Sequence, residues 1–249
     1  MRCHHIATLL LTAVATSFAE DAKEKEKATA AELRGIGGHV FLNLKTGRVK
    51  GVNLNGNAKA KDAHLEQVAT FSELTDLSLE GTAIGDKGIA AITGLKKLEW
   101  LNLYQTKITD KALASIGKLA NLTDLPIGET KVTDRGLTQI SGLRKLTYLG
   151  VRGNDVGDKG VAEIAKLKSI QRLHLGQTEV TDAGLDQLSM LGNLEELWLH
   201  DTRITDAGLA KLAKLKSLRR LHLQRTSTTA DGVAALRKSL PKCEISWER

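Results

Sequence analysis

LEELWLHDTRITDAGLAKLAKLKS, residues 194–217, is 24 residues long, and Leu218-Arg219-Arg220-Leu221-His222-Leu223 then starts the same pattern again. Segments beginning at Leu74, Leu98, Leu122, Leu146, Ile170, Leu194 and Leu218 align without gaps as L/I-x-x-L-x-L/I/V-x-x-T/N. Most continue x-I/V-T/G-D-x-G-L/I/V, and a degenerate copy with one extra residue opens at Val49. Self-similarity at such a period means stacked supersecondary units, each burying its apolar face against the next. The expected fold is therefore one elongated α/β solenoid of about eight units over residues 49–241.

Positions 4 and 6 of each unit are apolar with a polar residue between them, as in Leu197/Leu199 and Leu221/Leu223. That period of two marks a strand with one buried side. One strand per unit, all running the same way, stacks into a parallel sheet. Position 9 is Thr or Asn in every copy, from Asn57 to Thr226, and suits a turn whose backbone needs a short polar partner.

Asp86, Asp110, Asp134, Asp158, Asp182 and Asp206 recur at one position. Each precedes an apolar pattern at helical spacing, so each is read as a cap at the start of its own helix. The glycine two residues later is expected to let neighbouring helices pack closely.

The ends have their own logic. Arg2, the apolar run Ile6 to Phe18 and Ser17-Phe18-Ala19 form the pattern of a signal peptide over residues 1–19, cleaved after Ala19. The run is too short to span a bilayer, so a secreted or periplasmic protein is expected, with no membrane span. Residues 20–48 read as a charged, disordered or frayed segment, then a helix and a hairpin that cap the first unit. Residues 242–249 read as a closing cap strand with Trp247 over the core. A mature chain holding only Cys243 has no internal disulfide, and that cysteine is expected to be a small buried residue at the C-terminal end and not a nucleophile. The formal charge is +7 with 3% aromatic residues. That balance permits a weak attraction to an anionic envelope polymer, but no stretch interleaves basic and aromatic residues as single-strand nucleic-acid binders do.

Thr109-Asp110-Lys111-Ala112-Leu113, Thr133-Asp134-Arg135-Gly136-Leu137 and Thr205-Asp206-Ala207-Gly208-Leu209 carry a family likeness. The chain resembles the leucine-rich repeat proteins of the T-D-x-G-L subtype, common in exported proteins of planctomycete-type bacteria. It is also similar to the repeats of F-box substrate-recognition proteins, although no F-box segment precedes the repeats. The ending Leu240-Pro241-Lys242-Cys243-Glu244-Ile245 looks like the C-terminal cap of the bacterial group. The resemblance implies a right-handed horseshoe with strands on the concave face and short helices on the convex face. It further implies protein or peptide binding through the concave face, without catalysis or cofactor.

If positions 4 and 6 point inward, positions 3, 5 and 7 face outward on the concave sheet. Asp76, Trp100, Asp124, Tyr148, Arg172 and Arg220 stand in column 3, His174, Trp198 and His222 in column 5, and Tyr104, Arg152 and His200 in column 7. These twelve are the candidate partner-binding residues, because Trp, Tyr and Arg together are the composition of interface hot spots. The face also reads as polarised, with Asp76, Glu80, Asp124 and Glu129 toward one end and Arg152, Arg172, Arg220 and Arg225 toward the other. Alternatives are an envelope polysaccharide stacked on Trp100 and Trp198, a zinc or copper site at His174, His200 and His222, and an F-box-like ubiquitin-ligase adaptor. No nucleophile–base set, phosphate loop or paired-carboxylate cleft is legible, so no enzyme is expected.

Overall fold

The computed structural model describes residues 20–248, and the expected signal peptide lies outside them. The chain forms one ten-stranded sheet whose strands follow in sequence order: β1 (His39–Leu42), β2 (Val49–Asn53), β3 (Asp76–Ser78), β4 (Trp100–Asn102), β5 (Asp124–Pro126), β6 (Tyr148–Gly150), β7 (Arg172–His174), β8 (Glu196–Trp198), β9 (Arg220–His222) and β10 (Glu244–Ser246). β1 and β2 pair antiparallel, and every later pair is parallel. The register is column on column: Asp124 pairs with Tyr148, Tyr148 with Arg172, and Arg172 with Glu196. Pairing between β4 and β5 contracts to Trp100 with Asp124, because Pro126 has no N–H to contribute to the ladder.

Leu, Ile and Val at positions 4 and 6 are fully buried, and they join the helix leucines in one continuous core from Leu33 to Ile245. The position-9 threonines donate their hydroxyls to the carbonyl three residues back, as Thr178 does to Leu175 at 2.6 Å. Asn154 instead reaches into the preceding unit and donates to the Ile127 carbonyl at 3.0 Å.

The aspartate column does something other than what its spacing suggests. Where a threonine precedes the helix, that threonine is the cap, as the Thr181 hydroxyl accepts from the Ala183 amide at the start of α7 (Asp182–Leu188), while Gly85 and Gly157 hold that place in two units without a side-chain cap. The Asp182 carboxylate points to the following unit. It accepts the Thr205 amide at 2.9 Å and the Thr205 hydroxyl at 2.5 Å, where α8 (Asp206–Leu212) begins. Asp86, Asp110, Asp158 and Asp206 make the same two bonds to Thr109, Thr133, Thr181 and Thr229. The expected intra-unit cap is therefore an inter-unit latch.

The glycine reading changes with it. A Cβ at Gly88 would stand 2.7 Å from the Asp62 carboxylate, and one at Gly184 would stand 2.6 Å from that of Asp158. These glycines make room for the latch of the preceding unit as well as for close approach of its helix, since a Cβ at Gly88 would also stand 3.2 Å from the Asp62 Cα and one at Gly136 3.1 Å from the Asp110 Cα.

Residues 20–35 are helical (α1), so the segment read as disordered or frayed is ordered. Ala30 and Leu33 of α1 cover the core, and Glu26 is buried. A buried carboxylate needs partners, and Glu26 has two: Arg48 Nε at 2.6 Å and the Val49 amide. At the other end, Ile245 is buried and Trp247 packs against the core. Cys243 is half-buried, and burial pushes its thiol up to about 11. That thiol is protonated at neutral pH, in line with its reading as a packing residue.

Candidate concave binding face

The concave face is built by columns 3, 5 and 7, but its aromatic side chains do not stand clear in water. Trp100, Tyr104, Tyr148 and Trp198 are each half-buried by their neighbours. Trp198 lies between two histidines, with His174 stacked at 5.1 Å and 13° on one side and His222 at 5.4 Å and 7° on the other. This follows from register: column 5 puts the three rings on adjacent strands, about 4.8 Å apart. Tyr148 meets the Trp198 ring edge-on at 6.5 Å, and the Arg172 guanidinium sits 4.7 Å over the Tyr148 ring. Such aromatic and cation–π contacts stiffen the face beyond their burial.

Three glycines seat the remaining rings. A Cβ at Gly128 would lie 3.1 Å from the Tyr104 ring, one at Gly150 2.9 Å from the Tyr148 hydroxyl, and one at Gly176 2.5 Å from His200 Nε2. The rings therefore lean over bare backbone. Gly128, Gly150 and Pro126 line a cleft of about 220 Å³, bordered by Glu80, Asn102, Tyr104, Tyr148, Arg152 and His174.

The charges of the face are largely paired within it. Arg172 reaches across two units to Asp124 at 2.6 Å, Arg220 grips Glu196 with two bonds of 2.6 Å, and Arg152 lies 3.7 Å from Glu129. Arg225 holds Asp201, and the Tyr104 hydroxyl donates to Glu129. Bonds from Arg225, and then from His200, hold the Asp201 carboxyl down at about 2. The expected end-to-end polarity is thus mostly cancelled locally. Asp76 and Glu80 are different: among the described residues no cation lies in ion-pair range of either, and they accept from Thr75 and Asn102 respectively.

Burial, followed by repulsion from His200, pushes His174 down to about 4, so it is neutral at physiological pH. Tyr104 is raised to about 12, chiefly by burial and then by its bond to Glu129, and it remains a phenol.

Of the twelve candidate residues, Tyr104, Tyr148, Arg152 and His174 meet at the cleft, and Trp198, His200 and His222 continue from it in one aromatic run. Asp124 and Arg172 bracket Tyr148, Arg220 flanks the run, and Asp76 and Trp100 lie apart toward the N-terminal end. The two alternative ligands fit the geometry less well. Trp198 has a histidine over each face, which corrects the expectation that it stacks a sugar ring. The same indole separates His174 from His222, and among the described residues no three His, Cys, Asp or Glu side chains converge as a metal site.

Sequence reasoning missed a column. Position 8 takes a left-handed backbone in every unit: Gly56, Gly81 and Gly153, but also Gln105, Glu129, Gln177, Asp201 and Arg225, with φ between 51° and 58° for the non-glycines. Such residues cost of order 1–3 kcal/mol each. Their side chains lace the rim, with Gln105 donating to Glu129 at 2.6 Å and Arg152 to Gln177 at 2.7 Å. The signal was present in the three glycines sharing that column.

A leucine-rich repeat region model matches residues 43–230. The chain belongs to the leucine-rich repeat family. Repeat proteins of this family typically act as protein-binding scaffolds, generally without catalytic activity. No curated protein matches the chain. Among solved structures it is similar to an internalin of Listeria monocytogenes, at 25% identity and TM-score 0.62 over 74% of this chain and 50% of that one. It is similar in fold to a leucine-rich repeat protein of Leptospira interrogans, at 23% identity and TM-score 0.55 over 73% and 50%. A third is the leucine-rich repeat ectodomain of an Arabidopsis thaliana membrane receptor kinase, solved in complex with Casparian strip integrity factor 2. It has 16% identity and TM-score 0.55 over 84% of this chain and 25% of that one. This leucine-rich repeat chain spans about half the length of the internalin and of the Leptospira protein. No helix among the described residues is long and apolar enough to cross a membrane.

Proposed function

We propose that this leucine-rich repeat chain is an exported, non-enzymatic scaffold that captures a protein or peptide segment along its concave face. The observation that carries the reading is the continuous run of Tyr148, His174, Trp198, His200 and His222, with Tyr104 beside it at the cleft, held in place by stacking and by seats on glycine. A surface fixed before binding loses little side-chain entropy on association, and an aromatic centre with a charged rim is the anatomy of a hot-spot region. The pattern ending at Ser17-Phe18-Ala19 supports export.

Selection from a displayed random-peptide library tests the binding reading. Binders chosen on the wild-type protein are expected to be lost in Trp198→Ala and Tyr148→Ala proteins that keep the wild-type circular dichroism. Binders retained by both variants overturn the concave site. Mass spectrometry of the secreted protein tests export: a chain beginning at Glu20 is expected, and retention of residues 1–19 overturns it.

A further inference from the structure

Glu80 is half-buried at one wall of the central cleft, and its carboxylate accepts the Asn102 amide at 2.9 Å. The other carboxylates near the cleft already face a cation, Glu129 with Arg152 and Asp124 with Arg172. Arg152 is further held by Gln177. His174 accepts the Gly176 amide at Nδ1 and is uncharged at neutral pH. One negative charge at the cleft is therefore uncompensated, and Asp76, also without a cation among the described residues, adds to it from the same end of the face.

The walls are aromatic, and Pro126 lies among them beside Gly128 and Gly150. The Tyr104 and Tyr148 rings occupy the space over Gly128 and Gly150, so a chain of methylenes can lie against the two rings and Pro126. At about 220 Å³ the cleft is smaller than the roughly 300–1,000 Å³ of sites for drug-sized ligands, and it matches a single side chain. Apolar walls ending at an unpaired carboxylate suit a long stem carrying a positive head.

Building on the concave-face reading, we propose that this cleft takes one lysine or arginine side chain of the captured segment. Its stem lies against the Tyr104 and Tyr148 rings, and its charged head pairs with Glu80. Although the chain as a whole is cationic at +7, its concave cleft is selective for a cation.

The proposal is tested by titrating the protein with N-acetyl-L-arginine amide and N-acetyl-L-lysine amide, followed by NMR at the Gly128 and Gly150 amides. N-acetyl-L-norleucine amide and N-acetyl-L-glutamate amide serve as neutral and acidic comparisons. The basic amides are expected to shift both glycine signals. They are expected to bind about 3- to 10-fold more weakly to Glu80→Gln protein, the range for losing one charge-assisted contact at a half-exposed site. Equal shifts from norleucine amide, or unchanged binding of the basic amides to Glu80→Gln, overturn it. No shift from either basic amide also overturns it. The peptide library separates this failure from the wider one. Binders that depend on Trp198 but lack lysine and arginine overturn the basic-side-chain cleft and leave concave capture standing. A library that yields no binder overturns capture itself.

Discussion

His174 has one ring face against Trp198 and a pKa pushed down to about 4 from an ordinary 6.5. In that window the unfolded chain binds the proton more readily than the folded one, so stability falls as pH drops from about 6.5 toward 4. Asp201, held at about 2 against an ordinary 3.8, adds a further loss below that range as its ion pair with Arg225 is protonated away. The thermal midpoint is therefore expected to fall between pH 7 and 4. A His174→Phe protein, which retains a ring beside Trp198 but cannot titrate, is expected to lose less over the same interval. Calorimetry of both proteins across that range checks this. A second residue-scale expectation concerns Asp182. Asp182→Ala removes both latch bonds to Thr205 and is expected to cost about 1–3 kcal/mol in urea unfolding. Asp182→Asn keeps an acceptor for the Thr205 amide and a donor for its hydroxyl, so it is expected to cost clearly less.

At the scale of the element, the strands were plain in the sequence because burial imposes a period of two, and the apolar columns obey it from Leu77 to Ile245. The helices were legible too, but the partner of each aspartate was not. Thr-Asp before an apolar pattern reads the same whether the carboxylate serves its own helix or the next unit's threonine, since the choice depends on the stacking distance. The paired charges of the concave face were hidden for a similar reason: Arg172 and Asp124 are 48 residues apart, and only the register brings them together. Glu26 in α1 was misread because a charged segment is ordinarily solvated, and nothing local announces Arg48. Gly208→Ala is an element-scale test. Its new Cβ falls against the Asp182 carboxylate, so the α7–α8 latch must shift, and a loss of about 1–3 kcal/mol is expected from urea melts. Ala112, native at the equivalent place beside Asp86, shows that the shift is tolerated without loss of the fold.

At the scale of the whole molecule, the strand ladder and the latches each cross a single boundary between adjacent units. Removal of residues 170–193, one whole unit, is expected to leave a folded protein in which the Asp158 carboxylate meets Thr205 in place of Thr181. The denaturant m-value is expected to fall by roughly an eighth, in proportion to the surface lost. A two-step melt, or loss of the circular dichroism signature, would count against interchangeable joints. The latch also has a direction, since every carboxylate reaches toward the C-terminus and none back. A unit thus carries the donor half of one joint and the acceptor half of the next. Any in-frame duplication of 24 residues arrives with both halves matched, so unequal recombination within the gene can lengthen or shorten the array without designing a new interface. The length of the concave face is then a heritable variable of its own, set by copying and deletion rather than by point substitution.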